Sequence, residues 1–180
     1  MRTIGTRCAA LLITLALAAC DAPSGDAPRD LMPIAAHTVK VDVSGFAAIE
    51  GRVVTMSPDE VGQDIATALA EQLADAPTDA VQADIALALT SVRLTSRGAA
   101  FAFGGPSRIE GLLTVIEAKT GAVLFGPETV VGTSETVRLP GVIGVATSPS
   151  AANDYRQTVA GFAIAVQRVL NGLTVPAIDA

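Results

Sequence analysis

The stretch SPDEVGQDIATALAEQLADAP, residues 57–77, decides the fold, because it predicts a helix that separates two strands. Ser57, Pro58 and Glu60 have the spacing of a capping box with proline at the first helical position. The apolar side chains that follow lie on one face of a 3.6-residue helix, and Pro77 marks its end. These side chains are Val61, Ile65, Ala68, Leu69 and Leu73.

Strands are predicted on both sides of this helix. Valines alternate with polar residues in residues 37–46, which is typical of a half-buried strand. In residues 82–96 the alternation changes phase near Thr90-Ser91, so we expect one long strand with a β-bulge. Residues 108–133 predict a hairpin with its turn at residues 118–121.

The last predicted element is a helix over residues 153–172, with Asn153 or Asp154 as its N-cap and Gly172 at its end. The element order is therefore β-α-β-β-β-α. This order predicts an α+β fold, a two-layer sandwich in which both helices cover one face of a mostly antiparallel four-stranded sheet.

The N-terminus has the features of a secretion signal. Arg2 and Arg7 precede an apolar run that is too short to span a bilayer. The run ends in Leu17-Ala18-Ala19-Cys20, which resembles the lipobox of bacterial lipoproteins at all four positions. The resemblance implies cleavage before Cys20, diacylglycerol on its thiol and an acyl chain such as palmitate on its amine. The alternatives are a plain secretory signal with a chance cysteine and a buried N-terminal helix.

This reading divides the chain into four parts. Residues 1–19 are the signal peptide, and residues 20–36, rich in Pro and Asp, are the lipidated cysteine and a flexible tether. Residues 37–173 form a single α+β domain, and residues 174–180 form a C-terminal tail. The protein is then anchored in the bacterial envelope and faces the periplasm. Asp21 resembles the enterobacterial signal that retains lipoproteins on the inner membrane.

Composition narrows the class of partner. The net charge is −6, and removal of residues 1–19 with their two arginines lowers it to −8. A chain this acidic, without a basic cluster, lacks the electrostatic footprint of a nucleic-acid-binding protein. Cys8 lies in the signal peptide, so the mature chain has no free thiol for a disulfide or for a nucleophile. We expect no cofactor and no metal.

The element order, following a lipobox and a short tether, resembles small envelope lipoproteins over residues 37–172. These include the auxiliary lipoproteins of ABC-type lipid transporters, the lipopolysaccharide-assembly lipoprotein, and the first domain of TolB and curli-channel proteins. The resemblance implies a two-layer α+β fold. It assigns no functional residue, because no site motif is shared.

Few residues suggest chemistry. His37 is the sole histidine, so a Ser-His-Asp or metal site is less expected than a solvated or backbone-bonded side chain. Asp59, Glu60 and Asp64 cluster at the start of the first helix, where the positive end of the helix dipole stabilises carboxylates. Capping is therefore favoured over a catalytic acid pair or a calcium site. Arginines on the second and third strands could form a small anion site, or could pair with carboxylates on a solvated face. They are Arg93, Arg97 and Arg108.

Two connections are unusually apolar for loops. They are GAAFAFGGP at residues 98–106 and LPGVIGVATSP at residues 139–149, and neither contains a charged residue. Such loops are candidate contact surfaces for a partner protein or an acyl chain. Alternatively, each folds back as an extra strand or fills the core. The candidate contact residues are Phe101, Phe103, Val142 and Ile143.

The sequence therefore favours a non-enzymatic envelope lipoprotein, an accessory or assembly factor that binds a protein complex or a lipid. Two other classes stay open. A lipid-anchored hydrolase predicts a cleft with perturbed titratable groups, and a purely structural lipoprotein predicts no exposed apolar surface once the chain has folded.

Overall fold

The computed structural model of the protein describes residues 31–134, 140–172 and 175–176. Within these residues, four long strands and two long helices form the body of the domain, and shorter elements connect or flank them. The elements are β1 (Leu31–Met32), β2 (Ile34–Asp42), α1 (Pro58–Gln72), β3 (Val81–Arg93), α2 (Arg97–Ala102), β4 (Arg108–Glu117), β5 (Val123–Thr133), α3 (Val142–Ala146), α4 (Ala151–Gly172) and β6 (Val175–Pro176).

The long strands form one sheet in the order β2-β3-β4-β5. The β2 and β3 strands are parallel, as expected when a helix connects them, and the other two pairs are antiparallel. Helix α1 packs on β2, α4 packs on β4 and β5, and the two helices contact each other. The predicted α+β sandwich with a mostly antiparallel four-stranded sheet is confirmed.

One continuous apolar core lies between the sheet and the two long helices. The β3 strand supplies alternate residues to it from Ala83 to Leu89, and the sequence then shifts phase at a β-bulge between Leu89 and Ser91. Because the bulge adds one residue, Val92 returns to the core face and is fully buried. The predicted bulge at this position is present.

Helix α1 begins as its sequence predicts. The Ser57 amide donates to Glu60 Oε2 at 2.6 Å, and the Glu60 amide donates to Ser57 Oγ at 3.3 Å. These reciprocal bonds satisfy two amides at the helix start that have no partner within the helix. Val61, Ile65 and Leu69 point into the core from this helix.

Helix α4 begins earlier than predicted. It starts at Ala151, and the Ser150 hydroxyl accepts a hydrogen bond from the Asn153 amide at 3.2 Å. The prediction that Asn153 or Asp154 caps this helix is wrong, because both lie inside its first turn. Asp154 is instead completely buried under the connections at one end of the domain.

The two chain ends of the described domain lie together. Residues Leu31–Met32 pair with Val175–Pro176, and β2 starts at Ile34, three residues before the domain boundary expected at residue 37. Residues 1–30, with Cys20 and Asp21, lie outside the described residues. Among the residues described, no helix has the length and hydropathy needed to cross a bilayer.

Candidate functional site

Both apolar connections form short helices at the same end of the sandwich. Helix α2 links the end of β3 to the start of β4, and α3 follows the end of β5. Ser96 caps α2 by accepting a hydrogen bond from the Ala99 amide at 3.1 Å. The Gly141 amide, just before α3, donates to the Phe101 carbonyl at 2.8 Å. This bond and the contacts between the two helices hold the connections side by side.

Four large apolar side chains project from this pair of helices into solvent. The exposed fraction is 85% for Phe103, 74% for Val142, 67% for Ile143 and 56% for Phe101. They account for half of the eight exposed large hydrophobic side chains among the described residues, so apolar exposure is concentrated here. We call these four residues the apolar tip. The expectation that the two connections add a strand or fill the core is wrong for these side chains.

The segments that flank α2 and α3 meet at a buried carboxylate, that of Asp154. One Asp154 carboxylate oxygen, Oδ2, accepts a hydrogen bond from Ser107 Oγ at 2.8 Å and lies 3.3 Å from Arg52 Nη1. The same Arg52 nitrogen donates to the Pro149 carbonyl at 2.9 Å, and the Thr95 amide donates to Ser107 Oγ at 2.8 Å. These bonds join the segments that flank α2 and α3, which fixes the base of both short helices.

We call Arg52, Ser107 and Asp154 the polar cluster. Sequence reasoning missed it, because its members lie in two connections and in a helix start that are far apart along the chain. One feature of the sequence could have indicated Asp154. Residues 139–153 contain no charged residue, and Asp154 is the first charged residue after them. An aspartate after such a run is as typical of a cap as of a buried ion pair.

The three candidate arginines do not form a free anion site. Arg93 lies opposite Arg108 in the β3–β4 register, and each is engaged by a carboxylate. Arg93 Nε is 3.1 Å from Glu50 Oε2, and Arg108 Nη2 is 2.9 Å from Glu110 Oε1. Arg97 is the first residue of α2, beside the apolar tip. The pairing with carboxylates that the acidic composition favoured is therefore present for two of the three.

The single histidine has a side-chain partner that was not anticipated. His37 lies at a β-bulge in β2, and its Nδ1 is 3.0 Å from Asp84 Oδ1 on β3. The Thr38 hydroxyl donates to the same oxygen at 2.6 Å. The hydrogen bond from Thr38, followed by that from His37, lowers the pKa of Asp84 below its ordinary value of 3.8. His37 is exposed, so the pair lies open to solvent at the end of the sheet opposite the apolar tip.

A third feature is a cleft between α1 and α4. It has a volume of about 280 Å³ and is lined by Asp64, Glu71, Tyr155 and Arg156 among others. Burial, together with the neighbouring Asp64 carboxylate, raises the pKa of Tyr155. Its hydroxyl is buried and lies beside the Asp64 carboxylate. No group of three or more His, Cys, Asp or Glu in the described part of the chain could hold a metal ion.

Comparisons with known proteins give little more. No protein-family model matches the chain, and no curated protein matches it. The chain is similar to a "putative lipoprotein" from Caulobacter crescentus CB15, whose crystal structure was solved at 2.40 Å resolution. The identity is 17%, the alignment covers 74% of this chain and 88% of the other, and the TM-score is 0.36. At this identity and TM-score, the similarity assigns the chain neither to a family nor to a function.

Proposed function

We propose that this protein is a lipid-anchored component of a bacterial envelope, facing the periplasm, that works by binding a protein complex or a lipid rather than by catalysis. The observation that carries the proposal is the apolar tip. Two connections with no charge between residues 98 and 106 or between 139 and 149 meet at one end and expose four large apolar side chains. Exposed apolar surface of this kind marks a contact site in a soluble domain.

The support for the anchor is the sequence Leu17-Ala18-Ala19-Cys20, which follows a short positive region and an apolar run. Several acyl chains on one cysteine give stable attachment, since each buried CH₂ contributes about 0.8 kcal/mol. Asp21 favours the inner membrane. The anchor and the apolar tip together describe an accessory or assembly factor, held at a membrane while it contacts a second component.

The anchor is tested by membrane fractionation and metabolic labelling with a radioactive fatty acid. The parent is expected in the membrane fraction, with label on the mature chain. Cys20→Ala is expected to carry no label and to keep the mass of the unprocessed precursor. Label retained by Cys20→Ala contradicts lipidation at this residue, and recovery of the parent in the outer-membrane fraction removes the support that Asp21 gives to the inner membrane.

The binding role is tested with Phe101→Asp and with Phe103→Asp, whose parent side chain is the more exposed of the two. Crosslinking in native membranes measures capture of the partner, and thermal unfolding measures stability. Both variants are expected to lose capture while their unfolding midpoints stay close to that of the parent. Capture that persists in both variants contradicts a contact role for the apolar tip.

A further inference from the structure

The domain has two distinct ends. At the proximal end, β1 pairs with β6, Ile34 pairs with Val81, and the β4–β5 turn is located. At the distal end are the last residues of β3, the first residues of β4, helices α2 and α3, and therefore the apolar tip. A strand rises about 3.3 Å per residue, so the twelve residue steps of β3 span about 40 Å, and α2 follows its last residue.

The chain between Cys20 and the proximal end is too short to bring the apolar tip end-on to the anchoring membrane. Eleven residue steps connect Cys20 to Leu31, which spans at most about 36–40 Å when fully extended. That length does not exceed the roughly 40 Å of β3, and α2 with the apolar tip follows the last residue of that strand. A domain that stands on this membrane therefore presents the apolar tip away from it.

The charges of the distal end also restrict which kind of surface can bind to the apolar tip. Arg97 is the one charged residue in residues 94–107, and residues 139–153 have none. The rest of the mature chain is acidic, so two copies that approach each other carry net charges of the same sign. A partner surface next to Arg97 fits best if it is neutral or acidic.

The support beneath the apolar tip favours a protein surface. The buried Asp154 is bonded to Ser107 and paired with Arg52, so the backbone that carries the exposed side chains is held in one arrangement. A preorganised surface with two phenylalanines loses little conformational freedom on docking, as in helix-in-groove recognition. Aromatic side chains at the centre of such contacts supply much of the affinity.

We infer that the apolar tip docks into an apolar groove, with a neutral or acidic rim near Arg97, on another protein located on the side of the domain away from the anchoring membrane. This inference rests on the proposed function and commits the contact to a protein rather than to lipid or a second copy. Residues Phe101, Phe103, Val142 and Ile143 form the contact, and the polar cluster positions them.

The first test asks whether the apolar tip enters lipid. The single cysteine of the mature chain is the lipidated one, so Ile143→Cys supplies one reactive thiol for an environment-sensitive fluorophore. The labelled, lipidated protein is reconstituted into phosphatidylcholine vesicles whose acyl chains carry a doxyl quencher. Emission is expected to match that in vesicles without quencher. Strong quenching places the apolar tip in the bilayer and overturns the inference, while the lipid anchor and a binding role would stand.

The second test identifies the occupant in cells. A benzophenone amino acid replaces Phe103, and a control places it at Val123, which is also exposed but lies at the proximal end. The Phe103 position is expected to give a discrete adduct with another protein, at least tenfold above the Val123 position. The adduct is expected to fall at least tenfold when Phe101→Asp is added, with an unchanged unfolding midpoint.

Three results overturn the inference. They are an adduct with the mass of two copies of this chain, adduct formation at Phe103 no greater than at Val123, and an adduct that Phe101→Asp leaves unchanged. Val142→Asp serves as a second variant in case Phe101→Asp lowers the unfolding midpoint, since Val142 is more exposed than Phe101. Fractionation of Cys20→Ala is independent of these results, so failure of the anchor is distinguished from failure of the docking site.

Discussion

At the scale of single residues, two glycines allow α4 to lie directly on the edge strand of the sheet. A Cβ atom at Gly161 would lie 2.0 Å from the Thr133 carbonyl oxygen, and one at Gly132 would lie 2.2 Å from the Phe162 Cα. Both neighbours are backbone atoms and cannot rotate away. The close packing of α4 on β5 therefore depends on the absence of side chains at these two positions.

Gly161→Ala is expected to lower the free energy of unfolding by about 3 kcal/mol or more, because the added methyl group overlaps a backbone oxygen. Gly172→Ala in the same helix is the matched control, since nothing lies within 4 Å of a Cβ there, and its effect is expected to stay below about 1 kcal/mol. Urea unfolding followed by circular dichroism measures both. Equal losses would show that helix propensity, and not the contact with β5, determines the change in the free energy of unfolding.

The polar cluster gives a second prediction at this scale. Asp154→Ala leaves the largely buried Arg52 guanidinium without its carboxylate and is expected to lower the free energy of unfolding by about 3–5 kcal/mol. Glu50→Ala breaks the exposed pair with Arg93 and is expected to cost less than about 1 kcal/mol. Chemical denaturation of the two variants measures the difference. Similar losses would contradict the importance of burial for this ion pair.

The same residues show where sequence reasoning ends. A capping box can be identified in sequence because its members are three residues apart and bond to each other, as Ser57 and Glu60 do. The partners of Asp154 are 47 and 102 residues away, so the role of this carboxylate depends on the completed tertiary structure. Local pattern therefore predicted a cap where the fold places a buried ion pair.

At the scale of elements, the parallel strands β2 and β3 are joined by side chains as well as by backbone bonds. The bulge in β2 brings both His37 and Thr38 to the Asp84 carboxylate on the neighbouring strand. Both contacts favour the ionised carboxylate, which is why the pKa of Asp84 is lowered. The pairing of these strands at the proximal end is thus linked to the charge of one aspartate.

This linkage predicts a dependence of stability on acid. Because the pKa of Asp84 in the folded state is below its ordinary value of 3.8, its stabilisation is complete above that value and is lost as the pH falls through the folded pKa. The unfolding midpoint of Asp84→Asn is expected to fall less steeply than that of the parent between about pH 5 and pH 3. Thermal melts across this range measure the slopes.

Thr38→Val is the companion variant, because it removes the hydrogen bond that lowers the pKa of Asp84 most. Its slope is expected to lie between those of the parent and Asp84→Asn. Parallel curves for all three proteins would show that other carboxylates, such as Glu60 in the capping box of α1, account for the acid sensitivity.

The long elements could be predicted because each carries its own period. Alternation defines the strands, the 3.6-residue spacing defines α1 and α4, and a phase change marks the bulge in β3. Helices α2 and α3 have six and five residues, which is too short for a period to be visible. Their segments were distinguished by composition alone, so the exposure of Phe101 and Ile143 was open until the fold placed them.

At the scale of the whole molecule, apolar residues fall into two sets with different roles. Phe162 is completely buried against the sheet, whereas Phe103 is almost fully exposed at the distal end. Both are phenylalanines beside small residues in the sequence, and nothing local separates them. The distinction comes from tertiary structure. Helix α4 packs on the face of the sheet, whereas α2 lies at the ends of strands β3 and β4 and contacts α3.

Phe162→Ala is therefore expected to lower the free energy of unfolding by about 3–5 kcal/mol, through lost burial and a cavity in the core. Phe103→Asp is expected to change it by no more than about 0.5 kcal/mol, since its side chain is already in solvent. Urea unfolding of the two variants gives the comparison. A large loss for Phe103→Asp would make this residue part of the core and not of the apolar tip.

The ion pair between Arg52 and Asp154 also makes the distal end of the domain depend on its last long helix. Its two residues are 102 positions apart, and Asp154 belongs to the last long helix. Bringing two residues this far apart in sequence together has an entropic cost, which the rest of the fold must offset. A chain that ends before α4 lacks the carboxylate that Arg52 and Ser107 contact, and with it the bonds at the base of α2 and α3.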